Sequence, residues 1–495
     1  MPDALIKFRL GWPLYLWLLA AVLLASLDLY PRLSIYDQRR IVQVFLLGIF
    51  SIYLLAQPER RSSSLPTVTA ILLFIIVGLG SISSALAVVP TYAYLEVSLL
   101  VLMVAAIHVI GNSTDKHDLI RTPTLPILAI GACLYGLVAL MILTAGWAYE
   151  GEPVWPEPIH NFVNIRFLNQ WQSWMLPLLP ALLFAGIPRC RPWLLRSCLL
   201  LYFGLLWALL FYSAGRGTLY AITCATALVI LFFGRAGLRW GVLQIAMATT
   251  GLVLAALIFG MDLPFASGES SRGTRVMSFQ SPGRVVLWTV SADLIRESPW
   301  FGIGPMQFAT LQLPIAAHPH NLPIQIAVEW GIPAALILSG LLLWLLFRWL
   351  RFARHRVRST DCPAWERYFI ISLTCSLLTA GGHSLLSGIV VMPMSQIMLV
   401  LTCGLAVGWY RRYNTTDPVA ENPTILGMWR ITLLGSAIWL WGFGGLELSN
   451  HRYNDEIGVV AANGHYQPRF WRQGKLIHLM DSPPRRFDID NTRNQ

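Results

Sequence analysis

Two histidines set two residues apart, His318 and His320, stand in the stretch AAHPHNLPIQIAVEWGIP at 316–333, inside a chain otherwise dominated by apolar side chains. Pro319 and Pro323 keep His318 to Leu322 out of a regular helix, because a residue before proline is pushed toward extended backbone. Pro323 suits the first turn of a helix, Gln325 and Glu329 then fall four apart on one face, and Gly331-Ile332-Pro333 marks a break or kink. The histidines thus sit at the N-terminal mouth of a helix, where unpaired amide groups favour anions. A neutral imidazole, with an ordinary pKa of ~6.5, can accept the proton of an attacking hydroxyl. Zinc asks for three or four ligands, and no cysteine or close histidine completes such a set. A role in holding the loop, or none beyond the surface, stays open for His318.

Other polar groups fall on the same side of the chain. Arg284 lies at the start of an expected outer helix, Gly283 to Glu297, and Arg216 lies in the turn SAGRG between two apolar runs. Glu96 comes early in one apolar run and His383, in AGGHS, late in another. An ionisable group inside a membrane span costs a few kcal/mol, so each is a functional candidate. Glu96 and His383 could equally satisfy a helix-to-helix hydrogen bond. A carrier would place such groups at the midplane and inner half as well, and only His108 does so. Gly302-Ile303-Gly304 is no nucleotide fingerprint, since no strand precedes it.

What must position these residues is a membrane bundle. Of 495 residues 56% are hydrophobic and 12% charged, with a mean hydropathy of +0.58, a composition outside that of soluble domains. The expected fold class is an all-α polytopic membrane protein of about thirteen spans, on the criterion of ~20 apolar residues per crossing. They fall near 11–29, 40–56, 68–89, 91–110, 123–145, 169–187, 193–213, 217–233, 240–260, 325–347, 367–390, 393–410 and 426–447. The first run lacks a cleavage signature and is read as a retained span.

Arginines in alternate short loops, among them Arg60 and Arg61, Arg189 and Arg191, Arg235 and Arg239, Arg348 to Arg358, and Arg411 and Arg412, predict a cytoplasmic N-terminus. Arg32, Arg39 and Arg40 run against that pattern. The net charge of +11 fits basic cytoplasmic loops and a lipid bilayer as partner rather than nucleic acid. The expected units are an N-terminal bundle over 1–260, an outer loop at 261–324, further spans over 325–447 and an outer tail at 448–495. The seven cysteines show no metal or disulfide spacing, and no inverted repeat is visible.

Two further outer segments carry candidates. The stretch GWAYEGEPVWPEPIHNFVNIRFLNQWQSW at 146–174 holds Asn164, Arg166, Asn169, Gln170 and Gln172, polar groups that precede the PLLPALL run and are expected to line its outer end. Trp155, Trp171 and Trp174 could hold sugars or simply mark the membrane interface. The tail, with His451, Tyr453, His465, Tyr466, Trp471 and His478, is too aromatic for a plain linker. It is expected to pack on the outer mouth and to help choose an acceptor.

With Arg284, Trp288, Ala292, Ile295, Pro299, Gly302, Gly304 and Phe308, then His320-Asn321, Glu329 and Gly331, and the turn Ser213 to Gly217, the chain resembles the O-antigen ligase-like (Wzy-C) superfamily. That group contains O-antigen ligases, O-antigen polymerases and protein O-oligosaccharyltransferases that act on pilins. The resemblance spans roughly 200–400 and implies a multi-pass protein of the bacterial inner membrane with a large periplasmic loop. It also implies transfer of a glycan from an undecaprenyl-pyrophosphate-linked donor to a hydroxyl of a pilin-like protein, with a lipid A-core sugar or a growing glycan as alternative acceptors. Carried over by position, Arg216 and Arg284 hold the pyrophosphate and His320 activates the acceptor. His318, Asn321, Glu329, Arg166, Gln170, His383 and Glu96 are expected around the substrates. Such a reaction inverts the anomeric centre and calls for no metal or cofactor, since arginines can neutralise the departing charge. A transporter of lipid-linked glycan is the alternative from a different class.

Overall fold

A backbone crossing hydrocarbon must satisfy its own amide and carbonyl groups, and long apolar runs do so as helices. The computed structural model describes residues 2–30, 33–56, 67–115, 125–150, 162–184, 192–260, 282–311, 313, 315–414, 423–456, 469–472, 474 and 476. It is 84% helical, with no strand among the described residues. The chain is therefore an all-α multi-pass membrane protein. Its helices are α1 (Pro2–Ser26), α2 (Ile35–Leu55), α3 (Thr67–Ala85), α4 (Pro90–Asp115), α5 (Leu125–Glu150), α6 (Ile165–Met175), α7 (Leu179–Phe184), α8 (Pro192–Tyr212), α9 (Arg216–Phe233) and α10 (Arg235–Phe259). They continue with α11 (Pro282–Glu297), α12 (Leu322–Trp330), α13 (Ile332–Arg358), α14 (Ala364–Ser384), α15 (Pro393–Tyr413) and α16 (Pro423–Glu456).

Among the described residues nine of these helices are long and apolar enough to cross a membrane, and two shorter apolar helices, Trp12–Ser26 and Leu199–Tyr212, accompany them. Each span expected from the sequence falls on helix, and two of them are broken. The run 169–187 divides into α6, a 3-10 turn at Leu176–Leu178 and α7, because Pro177 and Pro180 remove amide donors in succession. The run 325–347 divides at Gly331, whose φ of +90° ends α12 and starts α13. A Cβ there would lie 2.1 Å from the Trp300 carbonyl oxygen, so only glycine fits.

Two of the arginines that opposed the charge pattern, Arg39 and Arg40, are explained by the start of α2, while Arg32 lies outside the described residues. This helix begins at Ile35, earlier than expected, so Arg39 and Arg40 are buried helix residues rather than loop charges. Arg40 donates to the side chains of Gln43 and Gln396, at 2.7 and 2.6 Å, and to the Val391 and Phe470 carbonyls. His108, in α4, is likewise tied down, with Asn112 at 3.0 Å and Arg411 at 3.3 Å.

Helices approach closely where side chains are small. At α4 against α15 a Cβ on Gly408 would come within 2.8 Å of the Gly111 carbonyl oxygen, the usual way membrane helices gain packing without a hydrophobic drive. The helix α11 lies over one end of the bundle. Leu287, Val290 and Leu294, at helical spacing, bury one face against Phe308, Leu313, Ala316 and Val328. That face fixes the histidine loop over the start of α12.

Candidate active site at one end of the bundle

Four helices begin beside the candidate residues. Arg216 is the first residue of α9, Arg284 lies in the first turn of α11, Arg166 in the first turn of α6, and His320 precedes the N-cap of α12. Asn164 caps α6 by accepting from the Arg166 amide at 2.8 Å, and Asn321 caps α12 by accepting from the Ile324 amide at 3.0 Å. Side chains of these types satisfy the free amides of a first turn. The end of the bundle thus gathers the positive ends of several helix dipoles.

The three arginines are electrostatic neighbours. Arg166 donates to the Ala214 carbonyl at 3.2 Å, in the turn that carries Arg216. Burial, then the nearby Arg216 charge, lowers Arg166, and burial, then Arg216 and Arg166, lowers Arg284. Among the described residues neither Arg166 nor Arg284 is paired with a carboxylate. Like charges brought together without counter-ions make a site that an anion relieves.

The histidine loop is held from three directions. Trp288 of α11 donates its indole N–H to the Pro319 carbonyl at 3.1 Å. Asn321 donates to the Leu385 carbonyl, just past α14, at 2.9 Å. His318 is buried against Gly388, where a Cβ would lie 2.0 Å from its Nε2, and its two ring nitrogens have no hydrogen-bond partner among the described residues. The His318 and His320 rings sit 4.3 Å apart at 66°.

His320 has a φ of +58°, the left-handed region that a residue with a side chain seldom takes. Such backbone persists only where the surroundings dictate it, and it concentrates at functional sites. The ring is half-buried. Burial, then the charges of Arg284 and Arg166, pushes His320 down to about 4, and burial with the neighbouring His320 and Arg469 pushes His318 well below its ordinary value. Both rings are neutral at physiological pH, the state a proton acceptor needs.

His383 accompanies the cluster from α14. Its Nδ1 lies 2.7 Å from Ser173 Oγ of α6, and its ring packs against Gly217, the residue after Arg216. It therefore serves a helix-to-helix hydrogen bond. Gln170 of α6 donates to Ser387 Oγ at 3.0 Å, while its own side-chain carbonyl oxygen is buried without a partner among the described residues. Trp174 donates to Ser395 and Trp171 packs against Tyr135 and Phe162, so both are interior residues. Trp155 and the loop 261–281 lie outside the described residues.

Glu329 and Glu96 go elsewhere. Both accept from Arg469 Nη2, at 2.5 and 2.8 Å, and Glu329 accepts also from the Phe308 amide at 3.3 Å. Arg469 Nη1 donates to the Ala317 carbonyl at 3.1 Å, one residue before His318. The Arg469 carbonyl accepts from the Tyr36 hydroxyl at 2.5 Å, the Phe470 carbonyl from Arg40 at 3.0 Å, and the Leu476 amide donates to the Ala309 carbonyl. The described part of the tail is thus threaded into the bundle beneath the histidine loop. His451, Tyr453, His465, Tyr466 and His478 lie outside the residues whose side chains are described. Arg469 was not among the expected site residues, and its only local signal is the aromatic neighbourhood Tyr466 to Trp471.

Residues 201–339, from α8 into α13, match the family model described as O-antigen ligase (Wzy-C). That stretch contains Arg216, Arg284, His318, His320, Asn321 and Glu329, while Arg166, His383 and Arg469 lie outside it. No curated protein matches the chain. The stretch is thus similar to the O-antigen ligase domain, and it is set in an all-α membrane bundle that extends beyond it on both sides.

Proposed function

We propose that the protein transfers an oligosaccharide or O-antigen unit from undecaprenyl pyrophosphate to an acceptor hydroxyl on the periplasmic side of a bacterial inner membrane. The observation that carries this reading is the convergence of Arg166, Arg216 and Arg284 beside neutral His320, with Arg166 and Arg284 lacking carboxylate partners among the described residues. A donor pyrophosphate is the anion that such a site would take. His320, on the loop of the 261–324 unit, faces the same cations.

In this mechanism the acceptor oxygen attacks the anomeric carbon, and the bond from that carbon to the phosphate oxygen breaks with its electron pair. The proton of the hydroxyl passes to His320, and the pair leaves on the pyrophosphate, where the arginines stabilise it. Attack opposite the leaving group inverts the centre. The donor's negative charge also offsets the two arginines that depress His320, so donor binding raises its basicity when it is needed. His318, with two unpartnered ring nitrogens, and the free Gln170 carbonyl offer polar contacts to the substrates.

For the acceptor we favour a Ser or Thr hydroxyl of a pilin-like protein over a lipid A-core sugar or a growing glycan. This preference rests on the HPHN form of the histidine loop at 318–321; Phe470 and Trp471 of the tail are buried in the core and do not bear on it. The test is an in-vitro transfer with lipid-linked oligosaccharide, pilin peptide and rough lipopolysaccharide offered together, the product being identified by mass. Wild type is expected to glycosylate the peptide, and His320→Ala and Arg284→Ala to lose transfer by ~100-fold or more. Glycan on the lipopolysaccharide instead would replace the acceptor, and donor binding without transfer to either would remove the reading.

A further inference from the structure

The other end of the bundle holds a second cationic site. Over the last two turns of α13, Arg351, Arg354, His355 and Arg358 stand at i, i+3, i+4 and i+7 and are exposed. Phe352, Ala353, Arg356 and Val357, on the opposite side, are buried. The exposed residues, with Leu350 next to Arg351, Phe347 about one turn earlier and Phe232 near the end of α9, line a cavity of about 570 Å³.

The charges in it are treated unlike their neighbour. Arg356 is matched by Glu366 at 2.6 Å and Asp361 at 2.9 Å. Among the described residues Arg351, Arg354, His355 and Arg358 have no carboxylate partner, and no acidic residue lines the cavity. The Arg354 guanidinium instead lies over the Phe232 ring, 5.1 Å from its centroid. The C-terminal dipole of α13 offsets part of the repulsion among these cations. It gives no reason for an apolar floor beside them.

Polarity within the cavity is graded along the helix. At ~1.5 Å per residue, Phe347 lies about 16 Å from Arg358, toward the middle of the span. An apolar part deep in the membrane and a cationic part at its boundary reproduce the order of an acyl chain and its phosphate headgroup. Basic pockets between helices at this depth are suited to anionic headgroups.

We infer that this cavity binds one anionic phospholipid, its phosphate held by Arg351, Arg354 and Arg358 and an acyl chain laid along Phe347, Leu350 and Phe232. The inference does not depend on the reaction at the histidine end.

Native mass spectrometry of the full-length protein in neutral detergent tests it, with phosphatidylglycerol and phosphatidylcholine of identical chains, and soluble glycerol phosphate followed by melting temperature. Wild type should retain phosphatidylglycerol about tenfold more than phosphatidylcholine, and glycerol phosphate should not shift the melting temperature. The triple variant Arg351→Gln/Arg354→Gln/Arg358→Gln, all exposed positions, should fall to the phosphatidylcholine level. Equal retention of the two lipids by wild type overturns the proposal without need of any variant. So does an undiminished preference in the triple variant, and stabilisation by glycerol phosphate equal to that by lipid would assign the site to free phosphate esters instead.

Discussion

Arg469 lies between Glu329 and Glu96, with Nη2 at 2.5 and 2.8 Å from their carboxylates, and with its other terminal nitrogen it holds the carbonyl of Ala317. One guanidinium thereby joins the tail, α4, α12 and the strand of loop that leads into His318. Removing it leaves Glu329 as a fully buried carboxylate without a cation, a change worth about 3–5 kcal/mol. Arg469→Ala should lower the melting temperature sharply, and Glu329→Gln in the same chain should recover part of the loss. Thermal unfolding of the single and double variants in detergent measures the coupling; simple additivity of the two would mean that the pair does not act as a unit.

The pH dependence follows from His320. Its pKa of about 4 in the free protein means that the base stays neutral until the pH falls through about 4. The acid limb of kcat/KM, which reports free enzyme, should lie there, well below an ordinary histidine. The limb of kcat, which reports the donor complex, should lie at higher pH, because bound pyrophosphate offsets Arg284 and Arg166. Initial rates at saturating and limiting donor separate the two, and coincident limbs would show that no anion enters the arginine cluster.

Arg166 and Arg284 should act mainly on the donor. A charge-assisted hydrogen bond contributes about 1.5–3 kcal/mol, so Arg166→Gln and Arg284→Gln should each weaken kcat/KM for the donor by roughly 10- to 100-fold. Both substitutions also relieve the depression of His320, and its acid limb should move up toward the ordinary value. A structural role alone would leave the limb in place.

Trp288→Phe removes the indole N–H that holds the Pro319 carbonyl at 3.1 Å while keeping most of the ring's packing. One neutral hydrogen bond is worth about 0.5–1.5 kcal/mol. Turnover should fall by about 3- to 10-fold with donor KM unchanged, as expected of a residue that positions the histidine loop without touching the carrier.

The spans and the gathering of polar groups at one end were legible because each rests on local pattern, namely apolar runs of crossing length and residues placed at their ends. The sequence alone could also isolate Arg216, Arg284 and His320, which stand at helix starts in turns too polar for the membrane. Glu329, Glu96 and His383 read the same way, yet in the fold their hydrogen bonds go to Arg469 and Ser173. Those partners are set by packing between segments far apart in the chain, for which spacing carries no signal. Arg40 misled for a related reason: a charge at the start of a span looks like a loop residue until Gln396 and the tail carbonyls are brought to it.

The cluster at the histidine end takes Arg166 from α6, Arg216 from α9, Arg284 from α11 and His320 from the loop before α12, with Arg469, from the far end of the sequence, bracing the histidine loop at Ala317. No single stretch of chain therefore carries the proposed site. A chimera that exchanges 201–339 between two such proteins would import Arg216, Arg284 and His320 and leave Arg166 and the Arg469 brace behind, so grafting a new specificity would require the α6 start and the tail to travel together with the domain.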